Sequence, residues 1–112
     1  MKPLRVIRRD AFRRDLIEHY CLIAEDQPAA ADTFARRVEE LIADLSTFPL
    51  SARAWEPAGD RLEGVRVRCV KGFKVLVFYQ VLDDYILMLR ALHGARDDLM
   101  AILGDELGPF EE

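Results

Sequence analysis

This chain of 112 residues has little cysteine, and the two it has are badly placed for sulfur chemistry. Cys21 falls in a helical pattern and Cys69 in a strand pattern, with no Cys-x-x-Cys spacing, so two reduced, mostly buried thiols are expected rather than a disulfide scaffold. Long apolar runs are also missing: nothing approaches the ~20 residues a membrane span needs. The start, MKPLRVIRRDAF, lacks the apolar core and cleavage site of a signal peptide, which points to a soluble cytosolic protein. There is no GxxxxGK[ST] loop, no GxGxxG and no GxSxG. The two histidines, His19 and His93, lie on different elements with no third ligand at metal spacing, so neither a metal site nor a cofactor is expected. Internal repeats and low-complexity segments are absent.

What is present is enough apolar material for one core. About half the residues are hydrophobic (51%), which argues against disorder, and the length suits a single domain over residues 1–112. A chain this size buries roughly two-thirds of its unfolded surface and needs no staples. The net charge of −4 is unevenly spread. Lys2, Arg5, Arg8, Arg9, Arg13 and Arg14 make the N-terminus basic, and Arg61, Arg66, Arg68, Lys71 and Lys74 form a second cluster. Beyond Arg96 there is no Lys or Arg, only acids. The acidic total argues against tight nucleic-acid binding, while the local basic clusters keep it open.

The richest stretch runs from Val65 to Asp97. Three apolar runs are broken at Lys71-Gly72 and at Asp83-Asp84, which predicts a three-stranded antiparallel meander. Val65, Val67 and Cys69 alternate with Arg66 and Arg68, giving that strand one apolar and one basic face. Phe73 to Val81 is apolar on both sides in its middle, the mark of a central strand. Upstream, Leu4 to Arg8 suits a first strand whose neighbour the pattern leaves open, and Asp10 is the expected N-cap of a helix over about 11–25. Phe12, Leu16, Ile17, Tyr20, Ile23 and Ala24 form its stripe, with Asp15, Glu18 and Glu25 off it. Pro28 opens a second helix, whose stripe runs through Ala31, Phe34, Ala35, Val38, Leu41, Ile42 and Leu45 until Pro49. The short break makes the two an antiparallel hairpin that must cover a sheet. Residues 49–61 read as a loop in which Trp55 is either a plug on the core or a partner anchor. Leu99, Ile102 and Leu103 suggest a short last helix near Asp97, with residues 104–112 a frayed tail. The expected class is α+β: a first strand, a helix hairpin packed on a largely antiparallel sheet, and a short C-terminal helix.

One constellation carries candidate chemistry. His93 and Arg96 follow the last strand, and the sheet order implied by the hairpins would set them beside Arg66 and Arg68. Imidazole moves protons near neutral pH, and guanidinium grips phosphate or stabilises its transition state. With Arg68 and Lys74 the set supplies what RNA cleavage by a 2′-hydroxyl needs. The structural alternative is that His93 caps a strand end and Arg96 pairs with Asp97 or Asp98.

Ile23-Ala24-Glu25-Asp26-Gln27-Pro28-Ala29-Ala30-Ala31, Leu45-Ser46-Thr47-Phe48-Pro49, the strand from Gly72 to Val81 and Leu89-Arg90-Ala91-Leu92-His93-Gly94-Ala95-Arg96-Asp97 resemble, in that order, segments of ParE toxins of the RelE/ParE superfamily. The resemblance covers about residues 4–103. It implies the toxin of a type II toxin–antitoxin pair, acting on DNA gyrase rather than as an enzyme. Its partner would be a small DNA-binding antitoxin with a flexible C-terminal segment, in a hetero-oligomer expected to be a heterotetramer. Target contacts are expected at Arg66, Arg68, Lys74, His93 and Arg96, and antitoxin contacts at Trp55, Arg37 and Leu41. RelE-like relatives instead cut mRNA on the ribosome, which would make Arg68, Lys74, His93 and Arg96 catalytic. Yet no tyrosine follows Tyr85, which leaves that set incomplete and favours the ParE side. A third reading is an inactive toxin-like module that only binds antitoxin and helps repress its operon.

Overall fold

The computed structural model describes residues 3–51, 53–54 and 64–107. Strand β1 (Arg5–Arg8) leads into helices α1 (Asp10–Asp26) and α2 (Pro28–Thr47). A two-residue strand β2 (Arg53–Ala54), the meander β3 (Val65–Cys69), β4 (Val75–Leu82) and β5 (Tyr85–His93), and helix α3 (Leu99–Leu107) follow. The sheet order is β1-β5-β4-β3-β2. All neighbours are antiparallel except β1, which runs parallel to β5 from Arg5↔Tyr85 to Arg8↔Met88. The meander, the hairpin and the last helix stand where the sequence puts them. The parallel β1–β5 pair supplies the neighbour that pattern reading leaves open.

A single residue, Gln27, joins the two helices, and Pro28 opens α2 where no N–H is needed. The helices run antiparallel: the Tyr20 hydroxyl donates to Asp32 at 2.6 Å and the His19 ring lies 6.0 Å from Phe34. Together they cover one sheet face, where Phe12, Phe34, Val38 and Leu45 meet Val75, Val77, Tyr79 and Met88. The other face packs Val65, Val67, Phe78, Leu89 and Leu92 under Leu103 of α3. The central strands are apolar on both sides because both faces are covered. A register shift opposite Phe78 and Tyr79 lets β5 serve both faces: Ile86 and Met88 face the hairpin before it, Ala91 after it.

Helix α2 also straps the edge strand. The Ser46 hydroxyl and carbonyl take the carbonyl and N–H of Leu4, and Arg8 forms two bonds of 2.8–2.9 Å with Glu39 at the other end of β1. The Arg8 hydrogen bonds hold the Glu39 carboxyl below its usual range. The β3–β4 turn is fixed likewise: Arg37 donates to the Lys71 carbonyl at 2.7 Å and lies over Gly72, whose φ is +86°.

What places α1 is a shortage of strand. β1 ends at Arg8, but β5 continues to His93, so its outer edge is left bare beyond Met88. Two residues one helical turn apart fill in for the missing strand. The Asp15 carboxylate accepts the Ala91 N–H at 2.9 Å, and His19 Nε2 donates to the Ala91 carbonyl at 2.8 Å. The same carboxylate takes two bonds from Arg90, at 2.7 and 2.8 Å. Asp15 is only 6% exposed, against its expected place off the buried stripe. The burial is tolerable because both its oxygens accept hydrogen bonds, three in all, two of them from a cation.

Several expectations are corrected. The N-cap of α1 is Arg9, without a side-chain cap, and Asp10 is already helical. Both thiols are exposed: Cys21 falls on the outer face of α1, and Cys69, where β3 ends, donates to the Phe73 carbonyl. Residues 53 and 54 of the expected loop form a strand. Residues 104–107 of the expected tail are helical, while 108–112 lie outside the described residues. No helix among the described residues is long and apolar enough to cross a membrane.

Two outcomes test these contacts. Asp15→Ala should destabilise the fold by about 3–5 kcal/mol in denaturant unfolding, because it strands the Arg90 charge and the Ala91 N–H together; a loss below about 1 kcal/mol would mean that α1 docks without them. Gly72→Ala should cost about 1–2 kcal/mol, since only glycine accepts that φ without strain, and its new Cβ would meet Arg37 Nη1 at 3.0 Å.

Candidate functional site

The end of β5, the corner after it and the outer flank of α1 enclose a polar cavity of about 320 Å³. Asp15, Glu18, His19 and Leu22 line it from the helix; Arg90, Ala91, Leu92, His93 and Arg96 line it from the strand and corner. It exists because β1 stops short and α1 is held against the bare edge through side chains. The corner is rigid: the Gly94 N–H donates to the Lys74 carbonyl, and the Arg96 N–H donates to the His93 carbonyl.

The protonation of the site follows from its partners. His93 Nδ1 accepts the Ala95 N–H at 3.1 Å, so the neutral ring carries its proton on Nε2. His19 carries its proton on Nε2 as well, because a carbonyl can only accept. Arg96 grips Asp98 through two bonds of 2.9 Å. Those bonds push the Asp98 carboxyl below its usual range, while Asp98, and at longer reach Asp15 and Glu18, favour the Arg96 cation. The corner side of the cavity offers donors, His93 Nε2–H and the outer edge of Arg96, while Glu18 on the helix side adds an acceptor. Such a set suits recognition of carboxylate, amide or phosphate oxygens. His93 is poorly arranged as a general base, because its lone pair is already used.

The five predicted target residues do not converge. His93 and Arg96 belong to this cavity. Arg66 and Arg68 lie on the hairpin-facing side of β3, alternating with Val65 and Val67, which face α3. Arg68 pairs with Asp44 of α2 at 3.0 Å and reaches Ser51, and it lines a different cavity with Arg37, Glu40 and Lys71. β4 lies between β3 and β5, so the backbones of Arg68 and Ala91 are two strand spacings apart, about 10 Å. Lys74 is exposed in the turn before β4 rather than in a strand position.

Two of the three predicted antitoxin contacts lie together: Leu41, 5% exposed, lines the same cavity as Arg37, beside Arg68 and Lys71. Arg37 is half-buried and clamps the β3–β4 turn. Trp55 lies outside the described residues.

Asp15, His19 and Arg90 escaped the sequence reading. The available signal was complementary: one arginine inside the apolar run of β5, and one acid inside a helical segment that has apolar residues on both sides. Among the described residues, no group of three or more His, Cys, Asp or Glu could hold a metal ion. A further concavity lies between the helices. It measures about 270 Å³, is almost wholly apolar, and is lined by Leu16, Ile17, Tyr20, Phe34, Ala35, Val38 and Glu39.

A family model for the ParE toxin of the type II toxin–antitoxin system parDE matches residues 6–98. Among solved structures, the chain is similar to one from the chromosomal ParDE toxin–antitoxin system of P. aeruginosa, with a TM-score of 0.68 over 80% of this chain and 95% of that one. The identity is 17%, so that likeness speaks to the fold. A search of curated proteins finds no match. The match over most of its length settles the family: the chain belongs to the ParE toxins of type II toxin–antitoxin systems.

Proposed function

We propose that this chain is a growth-inhibiting toxin that acts by binding and poisoning DNA gyrase, and that a small DNA-binding antitoxin neutralises it through a segment that folds on binding. One observation supports a protein-binding action over RNA cleavage: the arginines nearest the predicted site are matched to carboxylates and divided between two places. Arg68 is held by Asp44, Arg90 by Asp15 and Arg96 by Asp98. Cleavage of RNA asks for charge stabilisation, an acid and a base around one phosphate. The donor-rich cavity at His93 and Arg96 is better suited to gripping a protein's backbone or acidic side chains.

The antitoxin segment is expected in the apolar groove between α1 and α2. Its walls, Leu16, Tyr20, Phe34 and Val38, suit the apolar stripe of an amphipathic helix. Ordering such a segment is offset by wide apolar contact.

Purified toxin with DNA gyrase should accumulate cleaved plasmid and lose supercoiling, and adding the antitoxin encoded beside it should reverse both. Protein that stops growth yet leaves gyrase untouched would move the target to the ribosome; His93→Ala with Arg96→Ala should then abolish mRNA cleavage. For the groove, Ala35→Glu places a charge in its exposed wall and should weaken antitoxin capture about tenfold or more while leaving the fold intact. Unchanged capture would place the segment elsewhere.

A further inference from the structure

Two cations of this chain share a cavity that gives neither of them an acid. Arg37, Glu40, Leu41 and Asp44 lie on one flank of α2, three and four residues apart. That flank faces the β3–β4 turn across a polar cavity of about 250 Å³, lined by Arg37, Glu40, Leu41, Arg68, Cys69 and Lys71. Two of its charges are matched: Arg68 pairs with Asp44 at 3.0 Å, and Glu40 lies 3.8 Å from Arg36 on the outer ridge of the helix. Arg37 and Lys71 have no carboxylate within ion-pair distance among the described residues, in a chain whose net charge is −4. Arg37 is nevertheless anchored. Its Nη1 donates to the Lys71 carbonyl at 2.7 Å, and its Nε and Nη2 make no hydrogen bond among the described residues. A guanidinium oriented in this way loses little freedom when its open edge grips a carboxylate.

We propose that this cavity seats an acidic side chain of the antitoxin, its carboxylate bound between the open edge of Arg37 and the Lys71 ammonium. The inference rests on the antitoxin reading and adds a second anchor to it. Continuity with the apolar groove supports that occupant. Ala35, Val38 and Glu39 line the groove from the opposite flank of α2. The two openings are therefore about one helix width apart, roughly 10–12 Å. An extended segment leaving the groove covers that distance in about four residues. Its path crosses a ridge of exposed side chains, Arg36 and Glu40, that nothing else occupies among the described residues. Apolar contact in the groove supplies affinity, while the cavity fixes the register and rejects a segment without an acid at that spacing.

Lys71→Glu is the direct test, because Lys71 is exposed and the fold uses only its backbone carbonyl. In titration calorimetry with the purified full-length chain, the antitoxin encoded beside it should bind Lys71→Glu about tenfold more weakly or worse. Lys71→Arg should bind like the wild type, and circular dichroism should show both variants folded. Reversing one Asp or Glu of the antitoxin to Lys should restore binding to Lys71→Glu and weaken binding to the wild type. The cavity's attraction for carboxylates is read without antitoxin through Cys69, which lines it and is exposed. Its rate with dithiobis(nitrobenzoate), which carries two carboxylates, is divided by its rate with neutral dithiodipyridine, so that the intrinsic reactivity of the thiol cancels. That ratio, in a Cys21→Ser background, should exceed the ratio for Cys21 in a Cys69→Ser background about fivefold or more. Cys21 is the contrast because Glu18 and Glu25 lie one turn away on either side of it. Lys71→Glu should remove most of the excess. A ratio no higher at Cys69 than at Cys21, or an antitoxin that binds the wild type and Lys71→Glu alike, would overturn the proposal. A wild-type chain that binds no antitoxin would overturn the antitoxin reading itself, so the two failures are told apart.

Discussion

The Asp15 carboxylate is the contact on which the arrangement of this protein turns. It faces three N–H groups at once: two on the Arg90 guanidinium and one on the Ala91 backbone. With His19 on the Ala91 carbonyl it satisfies both polar groups of a strand residue that has no strand beside it. The alternative for a buried sheet edge is an unpaired N–H and C=O, each costing about 1–3 kcal/mol. A helix can close such an edge only if two polar side chains lie one turn apart on its inner face, and α1 has them four residues apart. Removing the carboxylate leaves a charge and a donor stranded together, so the pair is coupled to the position of the whole hairpin.

The same shortage of strand makes the cavity. Had β1 run the length of β5, the edge would be covered by backbone, and His93, Arg96 and Glu18 would have no common space. The fold thus opens a polar concavity beside a hydrogen-bonded corner. The corner residues spend their bonding locally, His93 on Ala95 and Arg96 on Asp98. What they leave outward is His93 Nε2–H and one edge of Arg96, facing the Glu18 carboxylate across the cavity.

How much of this was legible in the sequence differed by interaction type. Apolar periodicity revealed the hairpin and the meander, because burial of a stripe is a local property of spacing. Apolar content on both faces marked β4 as central. The pairing of β1 with β5 was hidden, since strand partners far apart in sequence leave no local trace. Asp15 was hidden for the same reason: only its partners, Arg90 and Ala91, seventy-five and more residues on, explain why an acid lies at a buried position. Leu41, on the α2 stripe and also an expected antitoxin contact, is largely buried between the helix and the sheet, with its edge lining the cavity beside Arg37. Cys21 and Cys69 were expected inside on residue type alone, and their outward positions follow from the helix phase and from the strand end at Cys69.

The pairing of charge also bears on the target. A surface that grips nucleic acid gains most of its affinity by releasing counterions from phosphates, which requires cations not already neutralised by neighbours. Here the arginines that come nearest to forming a basic face are tied to acids of the same chain: Arg8 to Glu39, Arg68 to Asp44, Arg90 to Asp15 and Arg96 to Asp98. Freeing them means breaking contacts that place the hairpin and the corner. A polyanion gripped at these four arginines would therefore have to displace carboxylates that the fold itself uses. A protein partner need not, because the outer edge of the Arg96 guanidinium and His93 Nε2 can donate while the Arg96–Asp98 pair remains intact. The distribution of charge thus agrees with the exposed apolar surface of α1 and the groove beside it, in that both kinds of surface suit protein partners.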